Sequence, residues 1–222
     1  MANCFLVMGT PRSGTNMLGA VLKKLGLNTG ATYEEFKNDW LPVGMQHDVQ
    51  MNALLTQMLQ FKCGCANEHA MVTIENLEEV KDCPHTVGFI EEMILLNRRE
   101  YNFGLVSNHL CKVIKPFLSL CENINIKMIK MARPIEVSIE SFATRMGVTP
   151  EEVQPIIDFY KSQLDAAENE IKNFGGSVFV ANYDEIVDNK EQKIAEIASF
   201  VGLPVTEEAI NCVNENFRRF RA

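Results

Sequence analysis

A glycine turn near the start of the chain, Gly9-Thr10-Pro11-Arg12-Ser13-Gly14, constrains the fold more than any other feature. Before it lies Cys4–Met8 (CFLVM), a short, wholly apolar run that reads as a buried strand. After it, helical spacing runs from about Thr15 to Leu25. Strand, glycine turn and helix in this order let successive backbone N–H groups curl inward, while the helix N-terminus adds partial positive charge. The expectation is a phosphate-binding loop at Gly9–Thr15, mounted on the first strand of an α/β domain.

Further along, short apolar runs alternate with longer helical patterns. Strands are expected at Cys111–Ile114 (CKVI), Ile126–Met131 (IKMIKM) and Val178–Asn182 (VFVAN), the last after Gly175-Gly176. Helices are expected at roughly 135–146, 151–173, 190–201 and 206–216. Thr149-Pro150 marks the start of the long one, with threonine as N-cap and proline in the first helical position. Such alternation predicts an α/β fold, a three-layer P-loop-type domain with a mainly parallel central sheet and helices on both faces. A chain of 222 residues, 46% hydrophobic, suits one domain over 1–222. Its middle, 28–105, reads as a largely helical insertion on the acceptor side, with helices around 45–61 and 86–101.

Bulk properties exclude some functions. A net charge of −8 argues against a general nucleic-acid surface, although a local cluster of N–H groups and arginines still suits an anionic nucleotide. No run of about 18 apolar residues is present to span a membrane. The N-terminus lacks a basic leader, and the seven cysteines have no framework spacing, so reduced thiols in a cytoplasmic setting are expected. Cys63, Cys65, His69, Cys83 and His85 cluster in the insertion. Their spacing matches none of the common zinc patterns, so no metal is expected.

The loop has the G-x4-G frame of a nucleotide P-loop, but the Lys and Ser/Thr that follow the second glycine there are Thr15 and Asn16 here. An ATPase or GTPase would lack its phosphate lysine and its magnesium hydroxyl. That weakens a kinase-like reading, which stands as the alternative beside a non-catalytic nucleotide-binding protein. The same residues, Pro11-Arg12-Ser13-Gly14-Thr15, resemble the 5′-phosphosulfate loop of the sulfotransferase family, in its bacterial or Golgi-like style. A second stretch, IKMIKMARPIEVSIESF, resembles that family's strand–Arg–x7–Ser–helix segment, although Pro134 directly follows Arg133 where many members have one residue between. Lys112-Val-Ile-Lys115-Pro116 resembles the lysine–proline segment that precedes the arginine strand. Val178–Pro204, with Tyr183-Asp184 and Phe200-Val-Gly-Leu-Pro204, is similar to the family's closing segment. The Gly-x-x-Gly-x-x-Lys signature of cytosolic members is absent, and Arg218, Arg219 and Arg221 are candidates to replace its charge.

The resemblance implies a PAPS (3′-phosphoadenosine-5′-phosphosulfate) donor and an acceptor hydroxyl or amine on a small molecule, carbohydrate or lipid. It implies that Arg12 meets charge on the leaving phosphate, that Ser13, Gly14, Thr15 and Asn16 supply donors next to Pro11, and that Arg133 and Ser141 hold the 3′-phosphate. Ser138, five positions after the arginine, competes with Ser141. Lys115 is a candidate to stabilise the sulfuryl group. The acceptor must lose a proton as it attacks, which calls for a base. His47 in Gly44-Met45-Gln46-His47-Asp48 is the expected one, with Asp48, Glu34 or Glu35 as substitutes.

Overall fold

The computed structural model describes residues 2–30, 32, 46, 102–119, 121, 123–214 and 217. The helices expected at 45–61 and 86–101 lie outside the described residues, as do Glu34, Glu35, His47, Asp48, the Cys63–His85 cluster, Arg218, Arg219 and Arg221.

The most apolar strand lies inside the sheet. β1 (Ala2–Gly9) pairs in parallel with β2 (Asn102–Val106) on one side and β3 (Ile124–Ala132) on the other. β4 (Ser177–Asn182) adds in parallel to β3, giving the order β2-β1-β3-β4. Side chains alternate across a strand, so Cys4, Leu6 and Met8 enter one core and Phe5 and Val7 the other. With both faces covered, the strand reads as a continuous apolar run.

On the first face lie α2 (Ile114–Ser119) and α4 (Pro150–Asn173). The latter buries Val153, Ile157, Tyr160, Leu164, Ala167 and Ile171, a stripe at alternating spacings of four and three. Its start carries the expected N-cap Thr149, which also forms a capping box, with Glu152 accepting from the Thr149 N–H at 2.8 Å. On the second face lie α1 (Thr15–Lys24), α5 (Tyr183–Asp188), α6 (Lys190–Val201) and α7 (Glu207–Cys212). The remaining helix, α3 (Ile135–Met146), follows β3 directly. The architecture is therefore α/β, with an all-parallel sheet among the described residues and helices on both faces.

One expected strand is corrected. Cys111–Ile114 is not extended: Asn108–Lys112 form a tight 3-10 turn and α2 begins at Ile114. The strand lies just upstream, at Asn102–Val106. It falls within the stretch 28–105 that reads as a largely helical insertion, and Gly104 lets it pack closely, since a Cβ there would stand 2.9 Å from Leu27 Cδ2. The apolar character of Cys111–Ile114 comes instead from burial on all sides.

The chain passes from β1 to β2 on one side and from β2 back across to β3 on the other, so the strand order reverses beside β1. This is the switch point at which α/β sheets open a crevice beyond the strand C-termini, and the glycine turn stands there. Among the described residues no helix is long and apolar enough to cross a membrane.

Candidate anion-binding site

The turn opens where β1 ends. Ser13 N–H donates to Thr10 O at 3.1 Å, closing a four-residue turn with Pro11 second and Arg12 third. Arg12 has φ +68°, left-handed for a non-glycine residue, as the third position of a type II turn requires. Gly14 follows at φ +103° and caps α1 without a side chain. The first turn of α1 contains no acidic residue, so nothing there competes for its N–H groups. Two glycines are fixed by close approach as well. A Cβ on Gly9 would meet Ser13 Oγ at 2.2 Å, and one on Gly14 would meet the Tyr183 ring at 2.3 Å. Gly14→Ala is expected to destabilise the protein by about 2 kcal/mol, from left-handed strain and a displaced buried ring. A shift of less than a degree in thermal midpoint would contradict this.

Arg133, on the residue after β3, ties the second half of the site to the first. Its Nη1 donates to Arg12 O at 2.9 Å, and its guanidinium carbon lies 4.4 Å from the centre of the Tyr183 ring. Tyr183 is buried, and its hydroxyl donates to Phe217 O at 2.9 Å. Ser141, two turns into α3, accepts from Arg12 Nε at 3.1 Å. The structure thus brings together Pro11, Arg12, Ser13, Gly14, Arg133 and Ser141. Asn16 turns to a neighbouring segment, its Oδ1 accepting from Gln46 N–H at 2.8 Å.

Several buried polar atoms on these elements have no hydrogen-bond partner: Ser13 Oγ, Ser138 Oγ, and Nε and Nη2 of Arg133. Leaving such a group unsatisfied costs on the order of 1–3 kcal/mol each. The electrostatics agree. Burial, then the nearby charges of Arg145 and Arg133, pull the Arg12 guanidinium down to about 10, and Tyr183 opposes this only weakly. Burial also lowers Arg133, although Tyr183 and Asp184 favour its charged form. Negative charge placed nearby would oppose both shifts.

Arg145 was not expected from the sequence. It lies on α3 four residues after Ser141, one helical turn further along the same face. Lys115 sits on α2 with its ammonium 3.8 Å from Glu170 of α4. Lys112 is fully buried in the 3-10 turn, 4.5 Å above the Tyr160 ring. Beside it Tyr160 Oη lies 2.8 Å from His109 Nδ1. This turn follows Ser107, whose N–H donates to Val7 O at 3.1 Å, so it stands at the same end of the sheet as the loop. Among the described residues no three His, Cys, Asp or Glu side chains gather as a metal site.

The fold is that of sulfotransferases. The sulfotransferase domain of the Synechococcus PCC 7002 olefin synthase matches with a TM-score of 0.58 at 16% identity, over 99% of this chain and 80% of that one. A sulfotransferase from Mycobacterium avium matches at 0.55 and 12%, over 96% and 67%. The sulfotransferase domain of the curacin biosynthetic pathway matches at 0.51 and 14%, over 98% and 80%. No sequence-family profile matches the chain, and no curated protein sequence does. At these identities the likeness is one of fold.

Proposed function

We propose that this chain of sulfotransferase fold moves a sulfuryl group from PAPS to a hydroxyl or amine acceptor. One observation carries the reading: Ser13 and Arg133, which both keep buried donors without a partner, meet at the glycine turn that holds Arg12, with Arg145 close enough to act on its charge. An anion with two separated phosphate groups would use such a site, one group in the turn and one beside Arg133.

In the proposed reaction the acceptor oxygen or nitrogen bonds to sulfur as the bond from sulfur to the bridging phosphate oxygen breaks. The electron pair of that bond stays on the leaving phosphate, where Arg12, Ser13 and the N-terminal N–H groups of α1 stabilise it. Such transfers gain mainly from positioning and from charge stabilisation in place beforehand. The acceptor proton passes to a base, for which His47 remains the proposal. Lys115 stays a candidate for the sulfuryl oxygens only if α2 shifts to release it from Glu170. We place the protein in the cytoplasm as a single domain with its insertion on the acceptor side. The described cysteines Cys4, Cys111, Cys121 and Cys212 are free thiols, which agrees with a reducing compartment.

Calorimetric titration with 3′,5′-adenosine bisphosphate, AMP and ATP–Mg²⁺ tests the donor. The bisphosphate is expected to bind far more tightly than the other two. At a hundredfold excess over its Kd it adds about 2.7 kcal/mol of stability, readable as a raised melting temperature. A preference for ATP–Mg²⁺ would move the chain to the kinase-like class. Bisphosphate binding without sulfuryl loss from PAPS, across hydroxyl and amine acceptors, would leave a binding protein.

A further inference from the structure

Along one side of α1 runs a stripe of residues that the anion site does not use. Asn16, Gly19 and Lys23 stand three and four positions apart, and so share one face of the helix. All three meet the stretch of chain that follows. Lys23 Nζ donates to Thr32 Oγ1 at 2.7 Å, and Asn16 Oδ1 accepts from the Gln46 N–H at 2.8 Å. Gly19 leaves room for the second contact, since a Cβ there would stand 2.8 Å from Gln46 Cβ and 3.3 Å from Val106 Cγ1. Gln46 is only 1% exposed, so its backbone N–H needs an acceptor from the protein. The order of these contacts gives the chain a direction. Thr32 is held at the last turn of α1 and Gln46 at the first, so the chain that leaves the helix at its far end is back at the loop end by Gln46. The next residue in sequence is His47.

We propose that Asn16 is a positioning residue: its side chain seats the insertion at the loop end of α1, and only the backbone N–H groups of that turn serve the anion. The second half rests on the nucleotide reading above, and it withdraws the Asn16 side chain from the donors that the sequence resemblance implies. Chemistry supports the division. A backbone N–H can only donate, so it fixes the carboxamide oxygen, not the nitrogen, toward Gln46. The contact thus uses the half of the amide that a phosphate cannot use. The seat matters to transfer because a base has to stand within hydrogen-bond reach of the acceptor. His47, the base proposed above, is joined to the seated residue by one peptide bond. One helix then serves both partners in the reaction, the donor through its backbone and the acceptor side through its stripe.

The test compares the wild type with Asn16→Ala, Asn16→Asp and Gly19→Ala. Amide hydrogen exchange is read residue by residue from NMR spectra, and 3′,5′-adenosine bisphosphate is titrated by calorimetry. Asn16→Ala is expected to speed exchange of the Gln46 N–H about fivefold to tenfold, the worth of one hydrogen bond, and to bind the bisphosphate within about twofold of the wild type. Asn16→Asp keeps an oxygen acceptor and is expected to restore the slow exchange, which a general loss of packing would not allow. Gly19→Ala pushes Gln46 off the same seat, and is expected to speed the same amide even though alanine favours the helix itself. Unchanged exchange across β1 and β3 shows that the variants have folded. The proposal is overturned if exchange at Gln46 is unmoved in either alanine variant, or if Asn16→Asp fails to restore it. A larger loss of bisphosphate affinity in Asn16→Ala also overturns it, by making the side chain a donor ligand. Failure of the wild type to bind the bisphosphate would sink the nucleotide reading itself, while the exchange rates still decide the seat.

Discussion

Under the proposed function, Arg12→Ala is expected to lower sulfuryl transfer about a hundredfold to a thousandfold, the loss of roughly 3–4 kcal/mol that follows when one preorganised donor to developing charge is removed. Its guanidinium is partly buried, lies among other arginines and is lowered to about 10. Holding such a charge in place is unfavourable until an anion arrives, and that arrangement favours a group whose charge is stabilised most as the leaving phosphate gains its own. Arg12→Gly separates this role from folding. Glycine accepts φ +68° without strain, so the variant is expected to be about 1 kcal/mol more stable than Arg12→Ala while equally inactive. Initial rates with excess PAPS, read beside thermal midpoints, check both halves. Near wild-type turnover in either variant would remove Arg12 from the mechanism.

Arg133→Ala is expected to weaken 3′,5′-adenosine bisphosphate binding about a hundredfold, or near 3 kcal/mol, because a charge-assisted pair to phosphate and the tie to the loop disappear together. The side chain reaches Arg12 O with Nη1, lies over Tyr183, and keeps Nε and Nη2 without a protein partner. Lysine cannot do these things at once, since its ammonium is one point rather than a fork. Arg133→Lys is therefore expected to recover less than a tenth of the lost affinity. Parallel titration with AMP decides what the residue is for. A loss confined to the bisphosphate marks a phosphate ligand, whereas equal losses mark a prop for the turn.

What could be read from the sequence was local. Gly9, Arg12 and Gly14 announce themselves because a strand, a tight turn and a helix need those residue types within a few positions. Arg133 was readable for the same reason, at the end of an apolar strand. The contact between Arg12 and Ser141 was not readable, since no spacing rule connects residues 129 apart. Arg145 carried a weak signal, one turn beyond Ser141 on a helix already expected, but helix surfaces commonly carry arginine. Lys112 and Lys115 differ by three positions and by everything in their surroundings: one is buried over an aromatic ring, the other reaches an outer carboxylate. Composition cannot separate them. The misplaced second strand has a similar cause, because a fully buried 3-10 turn and a fully buried strand are equally apolar.

The position of β1 also shapes how the chain comes into being. Its partners β2 and β3 begin only at Asn102 and Ile124, far along the chain from it. Until those distant segments join it, an apolar strand has neither edge paired. Ladders between residues so far apart form slowly, and until they do the exposed segment is open to association with other nascent chains. Refolding yield is expected to fall steeply with protein concentration. Adenosine bisphosphate should not rescue it at early times, since its binding residues meet only after β1 and β3 have joined.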